Sequence, residues 1–132
     1  MALPEHIKKG LRGEQLAARY LRKQRYRIIA ANFSTAVGET DIIAMKKGVL
    51  CFIEVKTRSP GGMFPPADAV DYDKQKRLTS NAAAFLKMSK IQCKSLRFDI
   101  IEVILHDLVT ADINHIENAF GGGAIDVSSR ME

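Results

Sequence analysis

FIEVK, residues 52–56, decides how the chain is read. In a strand, side chains alternate with a period of two, so Phe52, Glu54 and Lys56 share one side of an otherwise apolar run. A carboxylate and an ammonium on one face of a buried strand need something opposite them. GETDIIAM (38–45) and VLCFIEVKTR (49–58) both read as strands, and Lys46-Lys47-Gly48 between them reads as a hairpin turn. A two-residue turn at Lys47-Gly48 sets Met45 against Leu50, Ile43 against Phe52 and Asp41 against Glu54, with Glu39 facing Lys56. A four-residue loop gives the same pairing. One face then carries Ile43, Met45, Leu50 and Phe52 at the turn end and Glu39, Asp41, Glu54 and Lys56 at the other. Ile42, Ala44, Cys51, Ile53 and Val55 form the opposite face. A three-residue loop would separate Asp41 from Glu54, so the site depends on register.

Around this hairpin the chain reads as helix, three strands, helix, strand, an α/β core with a mixed sheet. Leu11 to about Lys23 is the first helix. Leu11, Glu14, Ala18 and Leu21 make its inward stripe with Ala17 beside them, which puts Glu14 where a carboxylate needs a partner or a metal. YRIIAANF, from Tyr26, is the first strand. SPGGMFPPA is a Gly/Pro loop, and Asp71 caps a second helix over about Tyr72–Ser89 with Leu78, Ala82 and Phe85 inward. Lys74 extends that stripe toward the helix start. SLRFDIIEVIL is a further strand, DLVTADINHIENAF holds another strand or a short helical turn, and residues 121–132 are expected to be a flexible tail. One domain over residues 1–120 is the expected organisation.

Two carboxylates about 5 Å apart at their Cβ atoms repel unless a cation joins them. Asp41, Glu54 and inward Glu14 form an all-oxygen set suited to Mg²⁺ or Mn²⁺. Lys56 would stand beside a water at that ion, to orient it or to stabilise charge on a phosphate. The alternative for the same residues is an ion-pair ladder at the sheet edge. Charge adds to the first reading. The net charge is +5, with eight Lys/Arg against Glu5 and Glu14 in residues 1–30 and seven against Asp71 and Asp73 in residues 71–97. From Phe98 onward seven acidic residues face Arg130 alone. Such a split fits one phosphate-facing side, or simply solvated helix faces. Arg12, Arg19, Arg58, Lys74 and Arg77 are the candidate nucleic-acid contacts. His6, His106 and His115 lack ligand spacing and read as surface or turn residues. No run approaches the roughly 20 apolar residues of a membrane span, and the start lacks an apolar signal core. Cys51 and Cys93 read as free thiols in a reducing cytoplasm.

Asp41 followed by Glu54-Val55-Lys56 resembles the PD-(D/E)xK nuclease signature, with Thr40 where its proline would stand. GLRGEQLAARYL, NFSTAVGETDIIA, FIEVKTRS, AVDYDKQKRL, RFDIIEV and INHIENAF, in order from about Gly10 to Phe120, resemble the bacterial YraN family of predicted endonuclease-like proteins, similar to archaeal Holliday junction resolvases. The resemblance implies a restriction-endonuclease-like αβββαβ core. It carries Glu14, Asp41, Glu54 and Lys56 over as the site, in line with Asp41, Glu54 and Glu14 as the metal ligands. DNA, branched or junction DNA included, is the expected substrate; a homodimer is expected if the chain resembles the resolvases in use as well as in fold, and a monomer otherwise. A non-catalytic nucleic-acid-binding or partner-recruiting module is the alternative. The family's Arg near Ser34, its Ile at Thr40 and its Phe-Gly before the proline are replaced here, the last by Phe64-Pro65-Pro66. These departures bear on substrate contact and leave every carboxylate in place.

Overall fold

The structure is a computed structural model that describes residues 2–61, 71–107, 109–120 and 125–126. Helix α1 (Glu5–Lys23) leads into strands β1 (Arg27–Thr35), β2 (Gly38–Lys46) and β3 (Val49–Arg58). Helix α2 (Tyr72–Ser89), β4 (Ser95–Leu105), β5 (Ala111–Ile116) and the two-residue β6 (Ile125–Asp126) follow. The sheet runs β1-β2-β3-β4-β5, with β6 added to β4. Only β3 and β4 pair in parallel, so the sheet is mixed. The order through β4 is the αβββαβ order expected, and the fold is α/β.

The hairpin turns on Lys47 and Gly48, both at positive φ, which suits a two-residue turn that follows the strand twist. Its register is the expected one: Met45 pairs with Leu50 and Ile43 with Phe52. Each sheet face therefore buries its own core. Ile42, Ala44, Cys51 and Ile53 pack with Ala17 and Leu21 of α1. Ile43, Leu50 and Phe52 pack with Ala82 and Phe85 of α2, and Phe52 stacks on Phe98. Asp71 caps α2 as read, its carboxylate accepting from the Lys74 N–H at 2.8 Å.

Three features depart from the expectations. Helix α1 begins six residues earlier than Leu11. EHIKKG lacks apolar periodicity, but Pro4 presets the entry dihedral and a nucleated helix propagates at little cost. Its buried face is Gly13, Ala17 and Leu21, while Leu11 is exposed. Glu14 thus lies half-buried at the edge of that face rather than at its centre. The cause is Gly13: a Cβ there would stand 1.8 Å from Thr57 Oγ1, so its bare backbone is what lets α1 lie against β3. The third departure is β1, which starts at Arg27, Tyr26 being buried just before it. Residues 63–66 of the proline loop lie outside the described residues, as does most of the expected tail.

Candidate functional site

The hairpin ladder ends at Ile42↔Ile53. Beyond it β2 stays with β1 and β3 stays with β4. The expected backbone pairs Asp41–Glu54 and Glu39–Lys56 therefore do not form. Asp41 explains the break: its Oδ2 accepts from the Val55 N–H at 2.8 Å, taking a donor that a longer ladder would have used. A cleft opens where the strands part, with Asp41 at its root. Opposite Asp41 in β1, Asn32 adopts a left-handed φ of 52°, a conformation Asn tolerates better than most residues. Before it, Thr40 is buried, and its Oγ1 accepts from Asn81 Nδ2 at 2.9 Å. Asn81 also donates to the Phe33 carbonyl and accepts from the Thr35 hydroxyl, so α2 clamps both strands next to Asp41.

Four carboxylates share this cleft electrostatically. Burial pushes the Asp41 carboxyl up to about 6; the Val55 N–H opposes that rise, and the charges of Glu14, Glu54 and Glu39 add to it. Glu14 and Asp41 line one groove of about 380 Å³ between α1 and the β1–β2 edge, with Leu11, Ala18 and Ile28. Glu54, 8 % exposed, forms an ion pair with Lys74 from the first turn of α2. Its Oε2 is buried with no hydrogen-bond partner among the described residues. Lys56, half-buried and two residues further along the same face, has no ion-pair partner among the described residues.

The sequence-predicted residues thus divide. Glu14 and Asp41 line one groove, Glu54 pairs with Lys74, and the charges of Glu14 and Glu54 both act on Asp41. Lys74 and Arg77 also line a groove of about 420 Å³ with residues 34–39. Arg58 binds Glu102 at 2.9 Å with its side chain 11 % exposed, the ion-pair reading of that residue. Arg12 bonds Gln15 on the surface of α1. Arg19 lies elsewhere, in a groove between α1 and β5. Among the described residues, no three His, Cys, Asp or Glu side chains lie close enough to hold an ion as they stand.

One cluster was invisible in the sequence. His115, read there as a surface or turn residue, is buried: its Nε2 meets Asp99 Oδ2 at 2.8 Å and its Nδ1 meets the Tyr20 hydroxyl at 3.0 Å. Arg97 donates twice to Asp99 and once to the Tyr26 hydroxyl, and the Asn118 N–H donates to Asp99. This network ties α1, β4 and β5 together on the face opposite Glu54. Its partners are far apart in sequence, so no local period signals it.

Comparison with known proteins gives a consistent result. The model of a family described as "Uncharacterised protein family UPF0102" matches residues 13–103. A UPF0102 protein of Alkaliphilus oremlandii is 44 % identical over 113 residues, 84 % of this chain and 96 % of its own. One of Caldanaerobacter subterraneus subsp. tengcongensis is 42 % identical over 110 residues, covering 82 % and 90 % respectively. One of Geobacter sulfurreducens is 42 % identical over 111 residues, covering 84 % and 87 %. The matched stretch contains Glu14, Asp41, Glu54, Lys56 and Lys74.

Proposed function

The chain belongs to the uncharacterised protein family UPF0102, and from that premise and the geometry of its cleft we propose that it is a Mg²⁺- or Mn²⁺-dependent endonuclease. It hydrolyses phosphodiester bonds in DNA, junction or otherwise branched DNA in particular. The observation that carries this reading is the unpartnered, buried Oε2 of Glu54 beside an Asp41 carboxyl whose pKa is raised. Burying a charged oxygen without a donor is costly, and a cation removes the cost. The donors are all oxygen, which suits a hard divalent ion. Such ions are commonly held by one or two carboxylates, with water and substrate phosphate completing the shell, and this site needs no three-residue cage. Asp41 and Glu54 would hold it, with Glu14 across the groove.

A bound divalent ion polarises phosphate oxygens and makes water more acidic. The chain does the rest. Lys56 orients the attacking water and stabilises charge as it builds on the phosphate. Oxygen bonds to phosphorus while one P–O bond to sugar breaks, leaving one hydroxyl and one phosphomonoester. Lys74 and Arg77 hold the flanking backbone phosphates. With DNA as substrate and both cysteines free and buried, the cytoplasm is the proposed site of action.

The test is cleavage of labelled four-way junction, flap, single-stranded and duplex DNA in Mg²⁺ and Mn²⁺. Cutting is expected, with a loss of about 10²-fold or more in a Glu54→Ala, Lys56→Ala variant; cutting that survives in the variant belongs to another site. A second reading, a non-catalytic nucleic-acid-binding module, is favoured by the Glu54–Lys74 pair, which already neutralises one carboxylate. It predicts equal DNA binding in EDTA and in Mg²⁺.

A further inference from the structure

We infer that Lys74 is a built-in stand-in for the metal: its ammonium neutralises Glu54 in the ion-free protein and must leave before a divalent ion can bind. This inference rests on the metal reading of the cleft and adds a competition to it. Three observations carry it. The Lys74 ammonium is ion-paired with Oε1 of Glu54, one of the two carboxylates assigned to the ion. The pair is asymmetric: the Lys74 side chain is 43 % exposed and that of Glu54 is 9 % exposed. The carboxylate cannot retreat into water, whereas the lysine can. Lys74 also borders the groove lined by residues 34–39 and Arg77, so a released ammonium has a place to go within reach of backbone phosphate.

Two cations cannot share one carboxylate cluster at close range without repulsion. The ion's observed affinity is therefore its intrinsic affinity reduced by the fraction of molecules in which Lys74 has let go. Ion binding also frees an ammonium for substrate, which couples metal occupancy to DNA affinity. The coupling must be reciprocal, so DNA that holds Lys74 in the groove tightens the ion.

The experiment is Mn²⁺ titration of the purified full chain by calorimetry, with melting curves in EDTA and in Mn²⁺. Lys74→Met and Lys74→Gln should each bind Mn²⁺ about tenfold more tightly than wild type and melt lower in EDTA. Lys74→Arg, which keeps the pairing, should stay within about threefold of wild type. Arg77→Met removes a neighbouring cation that has no ion pair with Glu54, and should change affinity much less than Lys74→Met. Equal affinity in wild type and both neutral Lys74 variants overturns the competition while leaving the metal site standing. An equal gain in Arg77→Met also overturns it, because general repulsion then suffices. Absence of Mn²⁺ binding in all variants overturns the metal site and this inference together. Tighter binding in the Lys74 variants, with no DNA cleavage by the wild type, supports the competition and counts against the nuclease reading alone.

Discussion

Asp41 has one backbone N–H in its favour and burial plus three carboxylates against it. Its folded pKa, about 6, lies above the ordinary 3.8. The folded state therefore holds the proton more tightly than the unfolded chain does. The associated stability is full below about pH 4 and is lost as pH rises through about 6. Asp41→Asn keeps an oxygen for the Val55 N–H and removes the charge. Urea unfolding in EDTA should show it about 1–2 kcal/mol more stable than wild type at pH 7.5 and level with it at pH 4. Its Mn²⁺-induced rise in Tm should shrink, because one ligand to the folded state is weakened. A variant less stable at both pH values would mean that Asp41 holds the fold rather than the ion. Asp99 behaves in the opposite sense. Burial alone would raise its pKa, but hydrogen bonds from His115, Arg97 and the Asn118 N–H, with the Arg97 charge, lower it overall. Its stabilisation is present above the unfolded carboxyl's range and is lost as pH falls through the folded value. Asp99→Asn should cost about 3 kcal/mol at pH 7, because it strands Arg97, and the cost should shrink as pH falls through the folded pKa. That loss should leave Mn²⁺ affinity unchanged, since Asp99 bonds to neither Asp41 nor Glu54.

The hairpin and α2 were legible because their signals are local. A period of two, a Lys-Gly turn and an Asp cap each act within a few residues, and the register through Ile42↔Ile53 follows from them. The Asp41–Glu54 neighbourhood was legible too, but only as a neighbourhood. Where the ladder ends is set by a side chain taking a backbone donor 14 positions away, which no pattern of hydropathy encodes. The burial of the His115 side chain was missed for the same reason, since its partners Tyr20 and Asp99 are distant in sequence. The start of α1 was missed because Pro4 and helix propagation, not apolar periodicity, carry it. Thr40 looked like a departure from its family's pattern, yet it is the hydroxyl that Asn81 needs. Asn81→Leu should therefore cost about 2–4 kcal/mol in urea unfolding, because it leaves the buried Thr40 hydroxyl and the half-buried Thr35 hydroxyl without their partner. Gly13→Ala tests the helix seat. With Thr57 Oγ1 1.8 Å from the new Cβ, α1 must shift, at a cost of about 1–3 kcal/mol. Thr57→Ala in the same chain should recover part of it. No recovery would mean that Gly13 is there for another reason.

At the scale of the molecule, the proposed function requires the cleft to meet a polyanion, and the cations are unevenly placed for that. Lys74 and Arg77 border the groove beside residues 34–39, Arg12 lies on α1 near Glu14, and Arg19 faces the groove by β5. DNA affinity should fall steeply with salt as phosphate contacts release counterions. In a Lys56→Ala background, which keeps the carboxylates and binds without cutting, neutralising Arg77 or Lys74 should each flatten the log–log salt slope by about 1. Arg19→Ala should leave the slope unchanged, and a change there would place DNA across the β5 side. Assembly follows from the same geometry. One chain carries one cleft, so two symmetric cuts across a four-way junction need two chains related by a two-fold axis. The segment INHIENAF offers little for that contact, because Phe120 stacks on Phe98 and Ile116 packs on Ile100 within the chain. Met63 and Phe64, the large apolar residues of the Gly/Pro loop, lie outside the described residues. DNA rather than a large apolar interface is thus expected to bring the chains together. Sedimentation at micromolar protein should show a monomer alone and two chains per four-way junction. One chain per junction would sink the resolvase form of the proposal and leave a nuclease that nicks one strand at a time.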